Sequence, residues 1–147
     1  MKIIEPSTTK EYQRYYELRW KILRAPWNQP RGSEQDDLEQ SSHHLMVIDS
    51  HPAVIGVGRL QFNTIQEAQI RYMAIDIEQQ HKGTGTLLLH ALEDRAIEPG
   101  ATRMVLAARE HALGFYQKQG YELEGPGHVL FNTIPHVKMS KRLMPAG

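Results

Sequence analysis

The sequence predicts an α+β fold, or mixed α/β, with a central sheet flanked by helices. Three observations carry this reading. Runs of strand-forming residues bounded by turn residues recur along the chain. Two longer segments, ending near Leu23 and Ile97, place apolar residues at helical spacing. The elements follow the order strand, helices, an antiparallel run, then alternating helix and strand.

Lys2 to Glu5 reads as a short strand. Thr8 or Thr9 caps a helix running to about Leu23, with Tyr12, Tyr15, Arg19 (through its stem) and Ile22 on one stripe and Tyr16, Trp20 and Leu23 beside it. Pro26, Pro30 and Gly32 leave a loop from Ala25 to Gly32. Ser33 with Asp36 resembles a cap that opens a short acidic helix. His44 to Asp49 and Ala53 to Asn63 read as strands joined through Ser50-His51-Pro52, and Gln69 to Ile77 as a further strand. Gly83 to Ile97 is a predicted helix, with Leu88, Ala91, Leu92, Arg95 and Ala96 in register and Gly100 as its stop. Arg103 to Ala108 reads as a buried strand and His111 to Lys118 as a short helix ended by Gly120. Strands near Tyr121 to Glu124 and Val137 to Leu143 close the chain.

The 147 residues fit one domain, spanning 1–147, with one core. No apolar run approaches the roughly 18 residues of a membrane span, and the N-terminus lacks the apolar stretch of a signal peptide. The expectation is a cytoplasmic protein without a membrane partner. With no cysteine, disulfides, thiolate nucleophiles and Cys-based zinc sites are excluded. None of the eight histidines forms a His-x-x-x-His pair with a carboxylate, so no metal site is expected. Lys plus Arg and Asp plus Glu balance at 17 each, which argues against broad electrostatic binding to nucleic acid.

The most informative stretch is Ile75-Asp76-Ile77-Glu78-Gln79-Gln80-His81-Lys82-Gly83-Thr84-Gly85-Thr86-Leu87. A strand runs into a glycine-containing turn, and the turn opens a helix. Helix N-termini carry orphan N–H groups and partial positive charge, so they suit phosphate, and glycine lets the backbone come close to it. Lys82 would add a cation, and Thr84 or Thr86 a hydroxyl. Taken alone, Gly83 and Gly85 are more often a plain tight turn. The segment is neither a Walker loop nor the dinucleotide fingerprint.

Gln80-His81-Lys82-Gly83-Thr84-Gly85 matches the pattern Gln/Arg-x-x-Gly-x-Gly/Ala of acetyltransferases. Around it, Arg71-Tyr72-Met73-Ala74-Ile75, Phe115-Tyr116-Gln117-Lys118-Gln119-Gly120-Tyr121 and His136-Val137-Lys138-Met139-Ser140-Lys141 resemble, in the same order, the preceding strand, the tyrosine helix and the closing strand of the GNAT-type N-acetyltransferase family. The resemblance implies a splayed central mixed sheet that admits the pantetheine arm of acetyl-CoA. It implies that Met73, Ala74 and Ile75 bind that arm through their backbone, that Gln80, His81, Lys82, Gly83, Thr84, Gly85 and Thr86 surround the pyrophosphate, and that His111 and Tyr116 lie beside the cofactor. His111 stands where many members have asparagine. Arg19-Trp20-Lys21-Ile22-Leu23-Arg24-Ala25-Pro26, Pro30-Arg31-Gly32-Ser33-Glu34 and His43-His44 further resemble the acyltransferase-type domain of bacterial proteins that also carry a hot-dog thioesterase-like domain.

Acyl transfer from a thioester needs a positioned thioester, an oxyanion donor, a neutral nucleophile and a proton for the departing thiolate. Tyr116 is the candidate general acid. Candidates for the base are Glu34, His43, His44 and Glu110. A lysine-like amine has a pKa near 10.4, so its neutral form costs roughly 4.6 kcal/mol at neutral pH. The run Glu34, Asp36, Asp37, Glu39 reads as a solvated face or as the border of an acceptor cleft. Arg19, Arg24 and Arg31 pull the expected acceptor charge the other way, and Trp20 and Trp27 are candidate cleft residues. The acceptor expected is a small-molecule or protein amine. The alternatives are a malonyl-thioester decarboxylase using the same slot and a non-enzymatic CoA-binding module. A homodimer is compatible with exposed sheet edges.

Overall fold

The computed structural model describes residues 1–145. It contains seven strands, β1 (Lys2–Ile4), β2 (His43–Ile48), β3 (Val54–Phe62), β4 (Glu67–Ile75), β5 (Arg103–Arg109), β6 (Glu122–Leu130) and β7 (Ile134–Arg142). The three helices are α1 (Thr9–Leu23), α2 (Thr84–Ile97) and α3 (Leu113–Lys118). The strand order in the sheet is β1-β2-β3-β4-β5-β7-β6. Two compact units emerge, one of Met1–Gln61 with Tyr72–Leu92, the other of Phe62–Arg71 with the chain from Glu93 onward. The α+β architecture read from the sequence is the one observed.

In the first unit, β1 pairs antiparallel with β2, and β2 with β3. The β2–β3 connection is fixed by Asp49, whose carboxylate accepts from the N–H groups of His51 and Ala53 at 2.9 and 2.7 Å. Helix α1 starts at a capping box. Thr8 Oγ1 accepts the Glu11 N–H, and Glu11 Oε1 accepts the Thr8 N–H, each at 3.1 Å, so two orphan donors of the first turn are satisfied. One stripe of α1 buries Tyr15 and Leu18 against Met46, Val57 and Ala74. Tyr15 and Val57 are fully buried.

In the second unit, β4 pairs in parallel with β5 over Glu67–Gln69 and Arg103–Val105. β5 then pairs antiparallel with β7, and β7 with β6. Met104, Leu106, Met139, Tyr116 and Tyr121 form part of its buried interior. Glu93 is buried there with two partners, the Tyr121 hydroxyl at 2.8 Å and Lys141 Nζ at 3.1 Å.

The expected boundaries shift in several places, three of which have a clear local cause. No helix forms between Ser33 and Glu39; the segment is a series of turns. Ser33 Oγ donates to Pro30 O, and Asp36 turns its carboxylate to the Leu38 N–H and to Arg59. Strand β4 starts at Glu67 and stops at Ile75, because Asp76 caps a short helical turn over Ile77–Gln79. Strand β6 extends to Leu130, well past Glu124, because Gly125, Pro126 and Gly127 sit in a bulged ladder that still pairs with β7.

Candidate active site

The site is built around the passage from β4 into α2. Within β4, Tyr72 has a φ of 54°, a left-handed conformation inside a strand. Such a residue costs on the order of 1–3 kcal/mol and persists only where its surroundings hold it. Met73, Ala74 and Ile75 follow directly, with Ala74 buried and its neighbours half-buried. Past Ile75 the backbone leaves the strand. The Asp76 N–H donates to Ile55 O at 2.9 Å, and Gln80 Nε2 donates to Ile75 O at 3.3 Å.

The turn into α2 contains two left-handed residues, His81 with φ 66° and Gly83 with φ 87°. Nothing lies within 4 Å of the position a Cβ would take on Gly83. The glycine is therefore needed for backbone conformation, and the space in front of it is open. His81, Lys82 and Gly83 are exposed. Thr84 is fully buried, and its hydroxyl donates to Met1 Sδ at 3.1 Å. Its side chain points inward, so of the two threonines expected near phosphate, Thr84 is left with only its backbone N–H for that purpose.

Tyr72 is held from several sides. The guanidinium carbons of Arg19, Arg59 and Arg24 lie 4.7, 4.9 and 5.6 Å from its ring centroid. Its hydroxyl donates to Asp36 Oδ2 at 3.3 Å. Arg19 and Arg59 are both fully buried. Glu39 bridges them, accepting from Arg19 Nη1 on Oε1 at 2.9 Å and from Arg59 Nη1 on Oε2 at 2.7 Å. Asp36 accepts a second pair of bonds from Arg59, at 2.6 and 3.0 Å. Arg19 also donates to Glu34 O and to the Tyr15 hydroxyl. The acidic run is thus not a solvated face. Glu34 and Glu39 are buried, and Glu39 and Asp36 neutralise two interior arginines. An interior guanidinium without such partners would be strongly unfavourable.

His44, weighed as a base, has both ring nitrogens engaged in this interior. Nε2–H donates to Glu39 O at 2.8 Å, and Nδ1 lies 2.8 Å from the Tyr15 hydroxyl, which also donates to Gly58 O at 3.1 Å. Burial depresses its pKa, which favours the neutral ring. His43 begins β2 opposite Leu60 and is half-buried. The Glu34 carboxylate accepts from the Gly32 N–H at 2.8 Å and from Gln35 Nε2 at 2.9 Å. Glu34 also borders an open groove of about 690 Å³ along α1, lined by Tyr12, Tyr16, Trp20 and Arg31. Trp20 both packs and lines this groove. Its Nε1–H donates to Gln29 O at 3.0 Å, and the Arg31 guanidinium stacks 4.1 Å from its ring while pairing with Glu17.

The second unit holds the remaining site candidates, Tyr116, His111 and Glu110, the last exposed at the start of the turn Glu110–Ala112. Tyr116 is buried on α3, with ring centroids of Phe115 and Tyr121 at 5.0 and 5.7 Å. Burial pushes its phenol up to about 12, so it is protonated at neutral pH. His111 is exposed in the short turn Glu110–Ala112 that precedes α3. Among the described residues, no group of three or more His, Asp and Glu side chains could hold a metal ion, and no helix is long and apolar enough to cross a membrane.

Sequence reasoning missed Arg59, Glu39 and Tyr72 as a unit. The only signal was a charged residue, Arg59, inside the largely apolar strand Val54–Phe62.

A kinked strand thus runs into a glycine turn that opens a helix. Comparison with known proteins gives the family. The acetyltransferase (GNAT) family model matches residues 12–121. The chain belongs to the acetyltransferase (GNAT) family and is an acetyltransferase. It is 29% identical over 143 residues to the uncharacterized N-acetyltransferase YjcF of Bacillus subtilis (strain 168), covering 96% of this chain and 99% of YjcF. Its fold is that of an aminoglycoside 6'-N-acetyltransferase solved with coenzyme A, with a TM-score of 0.81 at 17% identity over 100% of this chain and 99% of that one. Tetrahymena GCN5 shares it too, with a TM-score of 0.78 at 17% identity over 100% and 99% of the two chains.

Proposed function

We propose that the protein transfers the acetyl group of acetyl-CoA to a primary amine by direct attack. The observation that carries this reading is the turn His81–Thr84, with its two left-handed residues and the open space before Gly83. Backbone N–H groups there, from His81 to Thr86, bind the pyrophosphate, assisted by the partial positive charge of the α2 N-terminus. Gln80 and Lys82 border the same turn. Met73, Ala74 and Ile75 hold the pantetheine arm through their backbone, and a backbone N–H at the Tyr72 kink serves the thioester oxygen.

The amine nitrogen attacks the thioester carbonyl, the C–N bond forms and the C–S bond breaks. Tyr116 is the general acid, and its proton passes to the departing sulfur. The proton shed by the ammonium leaves through a base or water and restores the phenol by way of solvent. Burial keeps the Tyr116 proton in place until sulfur develops charge. Glu34 and His43, in the first unit, are the candidate bases, and His111 a cofactor contact or an alternative proton donor. The acceptor is a small-molecule or protein amine.

Calorimetry with acetyl-CoA tests the carrier site. Gly83→Glu, which sets bulk and negative charge against the phosphates, lowers affinity at least about tenfold, or roughly 1.4 kcal/mol. Gly83→Ala separates backbone strain from charge and loses less. Unchanged affinity in folded Gly83→Glu protein rules the assignment out. Thiol release with an amine panel then tests transfer, and carbon dioxide release from malonyl-CoA without amine would replace it with decarboxylation.

A further inference from the structure

Tyr72 takes a left-handed backbone inside β4, with φ 54°. That region is crowded for a residue with a bulky side chain, whereas glycine enters it freely. Gly83 meets the same demand in the turn into α2. A tyrosine at the kink therefore calls for contacts that hold it there, and the ring supplies them.

The half-buried ring meets guanidiniums from two elements of the first unit. Arg19 reaches it from α1 and Arg59 from β3, with guanidinium carbons 4.7 and 4.9 Å from the centroid. Cations within about 6 Å of a ring centroid are attracted to its face, most strongly away from water. Arg19 and Arg59 are both fully buried. The Tyr72 hydroxyl donates to Asp36 at 3.3 Å. Each gripping group is itself fixed. Arg59 is bonded to Asp36, Glu39 and Gln61, and Arg19 to Glu39, Glu34 O and the Tyr15 hydroxyl. Buried ion networks often stabilise a fold no better than apolar side chains of similar volume. Their placement around the left-handed residue of β4 gives this network a use that packing alone does not.

We propose that the Tyr72 side chain is a positioning element for the acyl group. Gripped by Arg19 and Arg59 and tied to Asp36, it holds the β4 kink at the angle from which a backbone N–H donates to the thioester oxygen. The proposal rests on the acyl-transfer reading and names the residues that set its oxyanion donor. Tyr72 acts through the backbone, so it is a positioning residue.

The test needs no acceptor. It is the infrared carbonyl band of acetyl-CoA, labelled with carbon-13 at the carbonyl, bound to the whole protein, with calorimetry of CoA as control. A hydrogen bond to the carbonyl lowers the stretching frequency, so the bound band should lie below that of free acetyl-CoA. Tyr72→Leu removes the gripped ring and should return the band towards the free position, while CoA affinity stays within about twofold. Tyr72→Gly also lacks the ring but adopts the angle readily, and should recover part of the shift. Arg59→Lys keeps the charge and loses the fork to Asp36. It should weaken the shift in the parent and change nothing further in Tyr72→Gly protein, the mark of action through the ring.

A full shift in Tyr72→Leu overturns the proposal and leaves the acyl-transfer reading standing. Equal losses in the leucine and glycine variants overturn it as well, since the angle would then not matter. So does a matching fall in CoA affinity in Tyr72→Leu, which would make the kink a general part of the fold. No shift in the parent at saturating acetyl-CoA overturns both this proposal and the oxyanion role of the kink.

Discussion

The guanidinium carbon of Arg59 lies 4.9 Å from the centroid of the Tyr72 ring, so a fully buried cation rests on the one residue of β4 with a left-handed backbone. Arg59 leaves β3 on the inner side of the first unit, and Asp36 and Glu39 approach it from the segment before β2. The charged cluster therefore fastens a loop with no regular structure to the strand that carries the candidate thioester site.

Glu39 is the most connected member, since each of its oxygens serves a different buried arginine. Glu39→Gln removes the charge that balances both, and removing one partner of a buried pair typically costs about 3–5 kcal/mol. Urea unfolding of the variant should show a loss of that order. A loss below about 1 kcal/mol would mean that Arg19 and Arg59 are neutralised by other groups.

Thr8 governs the start of α1 through the capping box with Glu11. Thr8→Ala deletes the acceptor for the Glu11 N–H and should lower stability by about 1 kcal/mol. Thr8→Asp restores an N-cap acceptor and should recover most of it. Equal unfolding midpoints for the alanine variant and the parent would show that the cap contributes nothing.

Tyr116→Phe separates catalysis from packing. It keeps the ring against Phe115 and Tyr121 and removes only the hydroxyl. With an amine identified by thiol release, kcat should fall by roughly 10²–10⁴ while acetyl-CoA affinity stays the same. A near-normal kcat would transfer the proton-donor role to water or His111.

Acid should destabilise the first unit through His44. Burial holds its folded pKa below the ordinary 6.5, so the unfolded chain binds more protons around and below that value. The contribution is fully present above pH 6.5 and is lost as pH falls towards the lower folded pKa. His44→Gln should flatten the fall in stability across this window. His128 and His136 are depressed as well, so part of the slope should remain. An unaltered slope in the variant would show that His44 titrates alike in both states.

Much of the fold is legible in local sequence because local rules decide it. Thr8 with Glu11 announces the start of α1, and Gly83 marks the entry to α2 because only glycine takes its backbone angle readily. The β6 run is less legible, since Gly125-Pro126-Gly127 has turn chemistry, and only pairing with β7 makes it a bulged strand. The Gln80–Gly85 match and the ordered segments around it suffice for the family.

The sequence by itself determined the α+β class, the order of its elements and the acetyltransferase family, since periodicity, caps and the glycine turn act over a few neighbouring residues. Tertiary structure alone decided the fate of the charged side chains. Glu39 lies 20 residues from both Arg19 and Arg59, Asp36 lies 36 from Tyr72, and each pair meets only after folding. Read locally, Asp36 and Glu39 belong on a solvated acidic helix. In the folded unit two buried guanidiniums claim them, because an unpartnered interior cation costs more than a short helix returns.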